Sequence, residues 1–450
     1  MRKALICHYR IGKTDGVSLE ISKRKEVLSS LGWETLLLSG PISSAVDYII
    51  PELEFDTYEV NRIKKNTFYK LSDFNSCDEL LGEIERIGGI IERGVRKIVE
   101  KERPDVLMLH NIFSHGRHIA AAKAFFNIVK EFNIPTIATH HDFYWERPEY
   151  KRVTCDGIEE YLARYLPPKD SLIKHVVINK IARDALYRKR GIEAIVIPDT
   201  FDFSQDCWRV DEYNRDFLES IEVSKDDILI LQATRIVERK GIGIAIDFVD
   251  LLNREGYLKD LVGKTLYNGK VVKSNSRVVL VLAGYAEKDS EGYLSKVRAK
   301  IAHKNVEARF ISDRVGASRC IRGNTKCYSL WDCYVYADAI SYPSILEGWG
   351  NQFIEAIFAK KPVVLYEYPV FKSDIRPFGY EYISLGDRAF FNEEVGLWEV
   401  PVEDLKRAAD RFTDVLVDSR TRDLVEKNFE IAKVHHSYTT LRRMLRELLN

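Results

Sequence analysis

Short apolar runs alternate with longer stretches of helical spacing along most of the chain. Lys3–His8 is a nearly unbroken apolar run and predicts a buried strand. Val17–Leu31 carries helical spacing up to Gly32, and Trp33–Ser39 returns to strand character. Ile84–Glu102 repeats apolar residues at helical spacing and is closed by Arg103-Pro104. Val106–His110, Thr136–Thr139 and Val176–Ile178 are brief apolar runs between helical segments. Strands buried on both faces lose the in–out alternation, and a strand–helix–strand rhythm places helices on both sides of a parallel sheet.

After Pro198 the rhythm restarts. Strands are predicted at Ile228–Ala233, Val278–Ala283, Val306–Ile311, Ala339–Tyr342 and Pro362–Tyr366. Helices are predicted at Ile242–Glu255, Leu294–His303 and Gln352–Ala359. Asp199–Val223 is charged and weakly periodic, which suits a linker, and Leu405–Asn450 reads as mostly helical. Segments 51–80 and 256–277 fit the rhythm poorly and read as insertions. The expectation is an α/β protein of two doubly wound domains with a helical tail.

The 450 residues carry 68 Lys+Arg against 68 Asp+Glu, so the net charge is zero, with 45% hydrophobic and 30% charged residues. That composition excludes a disordered chain and argues against a general nucleic-acid binder, which shows a basic excess. A small local anion pocket remains compatible with it. Seven cysteines at 7, 77, 155, 207, 320, 327 and 333 form no CxxC pair and no zinc-ligand spacing, so a reduced, cytoplasmic protein is expected. No leader peptide is read at Met1, and no apolar stretch reaches the ~20 residues that span a bilayer. The mixed charges of 84–102 suit a solvated face better than a membrane-binding one. Three Gln and three Met beside abundant Glu, Lys and Arg fit a heat-adapted source.

In open parallel sheets ligands bind beyond the carboxyl ends of the strands. There the chain places Arg10-Ile11-Gly12-Lys13-Thr14-Asp15-Gly16, His110-Asn111, His140-His141-Asp142, Thr234-Arg235 through Lys240-Gly241, Gly284, Ser312-Asp313-Arg314 and Glu347-Gly348-Trp349-Gly350-Asn351. The glycine loop is not GxGxxG and by itself is a strand-to-helix turn. Arg235 and Lys240 bracket a turn before a helix, a plausible diphosphate clamp. Glu238 and Arg239 between them read as solvated. Glu347 and Glu355 stand eight residues apart across a glycine-rich loop and a helix start that Asn351 can cap. As paired-hydroxyl acceptors they suit a sugar and a ribose; the bland readings are a loop acid and a first-turn helix acid. No HExxH, Walker loop, Gly-x-Ser-x-Gly elbow or Asp-x-Asp motif occurs.

With these residues in view, the chain resembles a family 4 retaining glycosyltransferase of the GT-B architecture over nearly its whole length. Gly12–Gly16, Thr139-His140-His141-Asp142, Ile197–Asp202, Arg235 through Lys240-Gly241 and the Glu-x7-Glu run from Glu347 to Glu355 occur in the family's order. Asp199-Thr200 departs from its usual Asn-Gly, and 313–332 is longer and richer in cysteine than its base-binding loop. The resemblance implies two Rossmann-like domains facing a deep cleft. These are residues 1–205 on the acceptor side, with a C-terminal helix of about 425–450 packing back on it, and 206–424 for the nucleotide sugar.

By the same resemblance Arg235 and Lys240 hold the donor diphosphate, Glu347 the donor sugar and Glu355 the ribose. His141 contacts the transferred sugar, with His140 as the alternative register. Gly16 brings backbone near the diphosphate, and Gly348, Trp349, Gly350, Asn351 and Gln352 offer amides. The implied reaction is transfer of a hexose from UDP- or GDP-hexose to a hydroxyl, with retention and with no metal or other cofactor required. Residues 360–375 resemble a subgroup acting on small solutes such as glucosylglycerate, for whose anionic acceptor Arg10, Lys13 and Arg147 are candidates. The competing readings are a transferase for lipid or polysaccharide acceptors, peripheral at a membrane, and a non-transferring GT-B epimerase or sugar-nucleotide-binding protein.

Overall fold

In the computed structural model, which describes residues 1–12, 16–41, 46–254, 256–287, 290–323 and 325–450, the chain divides into two compact units. Unit 1 comprises Met1–Thr200 with Tyr438–Asn450, and unit 2 comprises Phe201–Ser437. Lys13 lies outside the described residues.

Unit 1 is built from β1 (Arg2–Cys7), α1 (Gly16–Ser30), β2 (Trp33–Ser39), β3 (Tyr48–Ile49), α2 (Tyr58–Phe68), α3 (Cys77–Glu102), β4 (Val106–His110), α4 (Ala120–Phe132), β5 (Thr136–His140), α5 (Asp156–Tyr165), β6 (Ile173–Val177), α6 (Lys180–Arg190) and β7 (Ala194–Val196). The strands form one parallel sheet in the order β3-β2-β1-β4-β5-β6-β7. Apolar residues cover both of its faces, so the central strands β1 and β4 are buried almost throughout. α3 and α4 supply one core, through Ile84, Ile91, Val95, Phe125 and Ile128.

Unit 2 runs α7 (Phe217–Ser220), β8 (Ile228–Gln232), α8 (Ile242–Arg254), α9 (Tyr257–Leu261), β9 (Val278–Leu282), α10 (Glu291–Lys304) and β10 (Ala308–Phe310). Next come β11 (Val315–Gly316), β12 (Cys320–Arg322), β13 (Thr325–Ser329), α11 (Leu330–Tyr336), β14 (Ala339–Tyr342), α12 (Asn351–Phe358), β15 (Val363–Leu365) and β16 (Ile383–Ser384). The hairpin β17 (Phe390–Asn392) and β18 (Leu397–Glu399), then α13 (Val402–Val417) and α14 (Thr421–His435), complete it. Its main sheet is parallel, ordered β10-β9-β8-β14-β15-β16. The final helix, α15 (Tyr438–Leu449), belongs to unit 1, where Leu441, Leu445 and Leu448 join the core formed by Ile21, Val27 and Leu28 of α1. Residues 425–437, expected to return with it, stay in unit 2.

Three expectations need correction. Residues 201–223 are not a loose linker: Phe201 and Trp208 pack on Phe358 at 4.9 and 4.8 Å, and Trp208 stacks on Trp331 at 4.2 Å. Charged neighbours conceal this aromatic anchor in the sequence. Segment 51–80 is no insertion, since Ile63, Phe68, Phe74 and Leu80 are core residues. Finally, the cysteines are not all free, because Cys77 at the start of α3 is disulfide-bonded to Cys155 before α5, 78 residues on. Such bonds are expected mainly in oxidising compartments, with intracellular proteins of extreme thermophiles as the exception. A native disulfide typically contributes on the order of 2–4 kcal/mol. Cys77→Ser is therefore expected to lower unfolding free energy by about that amount in urea melts, and reductant to do the same to the wild type only.

Candidate functional site

Both sheets reverse their strand order once, between β1 and β4 in unit 1 and between β8 and β14 in unit 2. The crevice beyond the strand ends at such a switch point is where open α/β sheets bind ligands. Gly16 follows β1 and His110 ends β4 at the first, Lys240, Glu347 and Glu355 follow the strands of the second, and His141 follows the neighbouring β5.

In unit 2 the chain leaves β8 through Thr234 and turns at Glu238–Lys240, a single 3-10 turn, before α8. Gly241 ends that turn at φ +62°, and a Cβ there would overlap the carbonyl of Pro343. Only glycine lets the turn lie against the loop after β14, and Ile345 N–H donates to the Arg239 carbonyl at 2.8 Å across the same junction. Gly241→Ala is expected to cost on the order of 1–3 kcal/mol, read from denaturant melts, and to displace Lys240.

The approach brings Glu347 to two cations. Lys240 Nζ donates to Glu347 Oε1, and Arg239 Nη1 donates to Oε2 at 2.9 Å and to the Leu346 carbonyl at 3.0 Å. Lys240 is buried, and both its side chain and that of Glu347 are 10% exposed. Burial alone would raise the Glu347 pKa, but Lys240 and Arg239 outweigh it and hold the carboxyl below its ordinary range. The two cations read as a clamp face different carboxylates. Arg235 faces Glu287 in an exposed ion pair and shares no partner with Lys240. Arg239, read as a solvated charge, is the second cation on Glu347. A 3-10 turn places Arg239 next to Lys240 on the loop side, which spacing alone does not reveal.

Asn351 does not cap α12. Gly350 is the N-cap residue, and Asn351 is the first helical residue. Gly350 is required by packing, since a Cβ would strike the Tyr368 hydroxyl, which itself donates to the Trp349 carbonyl at 2.6 Å. Trp349 is a core residue set edge-on to His436, whereas Gly348 is exposed and Gln352 half-buried. Glu355 stands in the second turn of α12, not the first. The buried Tyr334 hydroxyl donates to its Oε2 at 3.0 Å, fixing a half-buried carboxylate. Tyr334 is a residue the sequence reading missed.

In unit 1 the two histidines separate cleanly. His140 ends β5, is 1% exposed and bonds His175 Nδ1 through Nε2 at 2.9 Å, so it is structural. His141 lies past the strand end, half-buried, with Nε2 at 3.0 Å from His110 Nδ1 and its backbone N–H donating to Asn111 Oδ1 at 2.8 Å. Burial, aided by Arg24 and His8, lowers its pKa to about 3, which leaves a neutral ring for hydroxyl contacts at neutral pH. Gly16 opens α1, and a Cβ there would meet no described atom within 4 Å. Two proposed acceptor cations are already engaged: Arg10 with Glu54 and Asp56, and Arg147 with Asp142.

Comparison with known proteins places the chain among glycosyl transferases. Residues 214–428 match the family model described as glycosyl transferases group 1. The mannosylglucosylglycerate synthase of Petrotoga mobilis is 40% identical over 416 residues, covering 92% of this chain and 93% of that one. The protein of the same name from Thermotoga maritima is 39% identical, with both chains covered in full. Among solved structures, a glycosyltransferase from Rickettsia africae aligns with a TM-score of 0.64 at 13% identity, covering 100% of this chain and 97% of that one. Anabaena HepE in complex with UDP and glucose aligns with a TM-score of 0.60 at 13% identity, covering 100% and 99%. These two likenesses bear on the fold, which is that of two Rossmann-like α/β units.

Proposed function

Because the chain belongs to the group 1 glycosyl transferases, we propose that it moves a hexose from UDP- or GDP-hexose to a hydroxyl of a small anionic glycoside of the glucosylglycerate kind. Two relatives named mannosylglucosylglycerate synthase, aligned over nearly their whole lengths, support mannose as the sugar and glucosylglycerate as the acceptor. The observation that carries the site assignment is the Lys240–Glu347 ion pair, 10% exposed on both sides and flanked by Arg239, at the β8/β14 switch point.

In this reading the acceptor oxygen bonds to the anomeric carbon as the bond from that carbon to the phosphate oxygen breaks. The electron pair leaves with the nucleoside diphosphate, and the acceptor proton passes to the departing phosphate oxygen on the same face, so configuration is retained. Lys240, with Arg239 and Arg235 nearby in sequence, stabilises charge growing on the diphosphate. Glu347 orients the donor sugar, Glu355 the ribose, and the amides at the start of α12 meet phosphate oxygens. Neutral His141 accepts or donates a hydrogen bond to the sugar. Charge stabilisation by these cations makes a divalent metal dispensable.

A screen of UDP- and GDP-linked glucose and mannose against glucosylglycerate tests the reading. Nucleotide release coupled to a product one hexose heavier, undiminished by a chelator and with the donor's anomeric configuration, is expected. Release from no donor, or release with no glycosylated product, counts against it.

A further inference from the structure

On unit 1, the segment after β5, α5 and the end of α6 enclose a cavity of about 510 Å³. Tyr144, Trp145 and Tyr150 give it aromatic walls, while Lys151, Lys189 and Arg190 surround it with cations; Glu159 is its lone acid. Most cations near the other sites are ion-paired, yet none of these three has a carboxylate within 4 Å among the described residues. Arg190 Nη2 donates to the Tyr144 hydroxyl at 2.9 Å and to the Leu162 carbonyl at 3.4 Å, leaving its buried Nε without an acceptor. The indole Nε1 of Trp145 is likewise buried and unpartnered. One face of Trp145 stacks on Phe143 at 4.4 Å, and the other lies 5.8 Å from Lys189 Nζ and 5.6 Å from the Arg190 guanidinium.

Cations in the last turn of a helix are favoured by its dipole, which accounts for Lys189 and Arg190. It does not account for Lys151, which comes from a different segment, nor for two buried donors left without acceptors, which is costly. In a chain of zero net charge, three cations without a carboxylate partner gathered round one cavity mark an anion site. The half-buried ring of Tyr144 supplies apolar surface of the kind a sugar ring covers. We infer that this cavity binds a small anionic carbohydrate, with its carboxylate or phosphate on Lys151, Lys189 and the Arg190 guanidinium. None of the residues lining it is among those assigned to transfer, and it stands or falls independently of them.

Calorimetric titration of the full-length protein with glucuronate, glucose 6-phosphate, methyl glucoside and inorganic phosphate tests the assignment. At least one anionic sugar is expected to bind with submillimolar affinity, and methyl glucoside and phosphate at least tenfold more weakly. Lys189→Gln/Arg190→Gln should weaken anionic sugar binding tenfold or more. Lys151→Gln, at an exposed side chain with no structural bond to lose, should weaken it about threefold with an unchanged melt. The two sugars report whether carboxylate or phosphate is preferred. Absence of binding by both, affinity unchanged in both variants, or inorganic phosphate binding as tightly as the sugars would overturn the assignment.

Discussion

Replacing Lys240 by alanine is expected to lower hexose transfer by a factor of about 10²–10³, with both units still folded. Lys240 is the buried cation at the β8/β14 switch point, and its ammonium is held by Glu347 and not by solvent. Removing it takes away charge that a departing diphosphate needs, and it also frees Glu347 from one of its two partners. Arg239 still holds the other carboxylate oxygen, so the loop keeps an anchor and the stability loss stays on the order of 1–3 kcal/mol. Glu355→Ala, which removes the carboxylate oriented by Tyr334, is expected to give a comparable loss of transfer, expressed largely in donor KM. Arg235→Ala should do less, because that side chain sits exposed against Glu287. Steady-state kinetics on the three variants, with circular dichroism melts as the control, read these differences. Near-wild-type turnover for Lys240→Ala would remove the basis for the site.

Acidification from pH 7 to 5 is expected to destabilise the protein strongly, and unit 1 first. Burial lowers His118 and His175 to about 4 and His141 to about 3, and it lowers His110 and His140 as well; His115 falls to about 4. In unit 2, His436 is the described histidine with a lowered value, about 3. Between these values and the unfolded value near 6.5, the unfolded chain binds protons that the folded chain refuses. Stability from these groups is therefore complete above about pH 6.5 and declines as pH falls toward 3 or 4. Each such group costs about 1.4 kcal/mol per pH unit in that window. His118 and His175 alone, both nearly inaccessible, would remove about 4 kcal/mol by pH 5. That is a large part of a typical stability of about 5–15 kcal/mol. Urea melts at pH 7, 6 and 5, with amide exchange to locate the opening, should show unit 1 losing protection first. Flat stability across that range would contradict the buried neutral histidines.

The central strands were legible because burial on both faces writes a plain signal. Trp33–Ser39, Val106–His110 and Ala339–Tyr342 appear with the limits their apolar runs suggest. β3, β7 and β16 were missed because two or three residues at a sheet edge, partly exposed, leave no pattern. At the site, order and residue type pointed to Lys240, Glu347 and Glu355. That Arg239 joins Lys240 on Glu347 left no trace in the sequence, because it depends on how one 3-10 turn rotates its side chains. Arg235 and Arg239 are four residues apart and chemically identical, and only the fold sends one to Glu287 and the other to Glu347. The Cys77–Cys155 bond joins positions 78 residues apart with no local motif, so spacing carried no trace of it.

The most direct test of the donor-site assignment is equilibrium binding of the free nucleoside diphosphates. UDP or GDP titrated into the wild type should bind, and Lys240→Ala should weaken that affinity tenfold or more, with Arg235→Ala closer to wild type. Equal affinity in the wild type and Lys240→Ala would contradict the assignment of the Lys240–Glu347 cluster as the donor site.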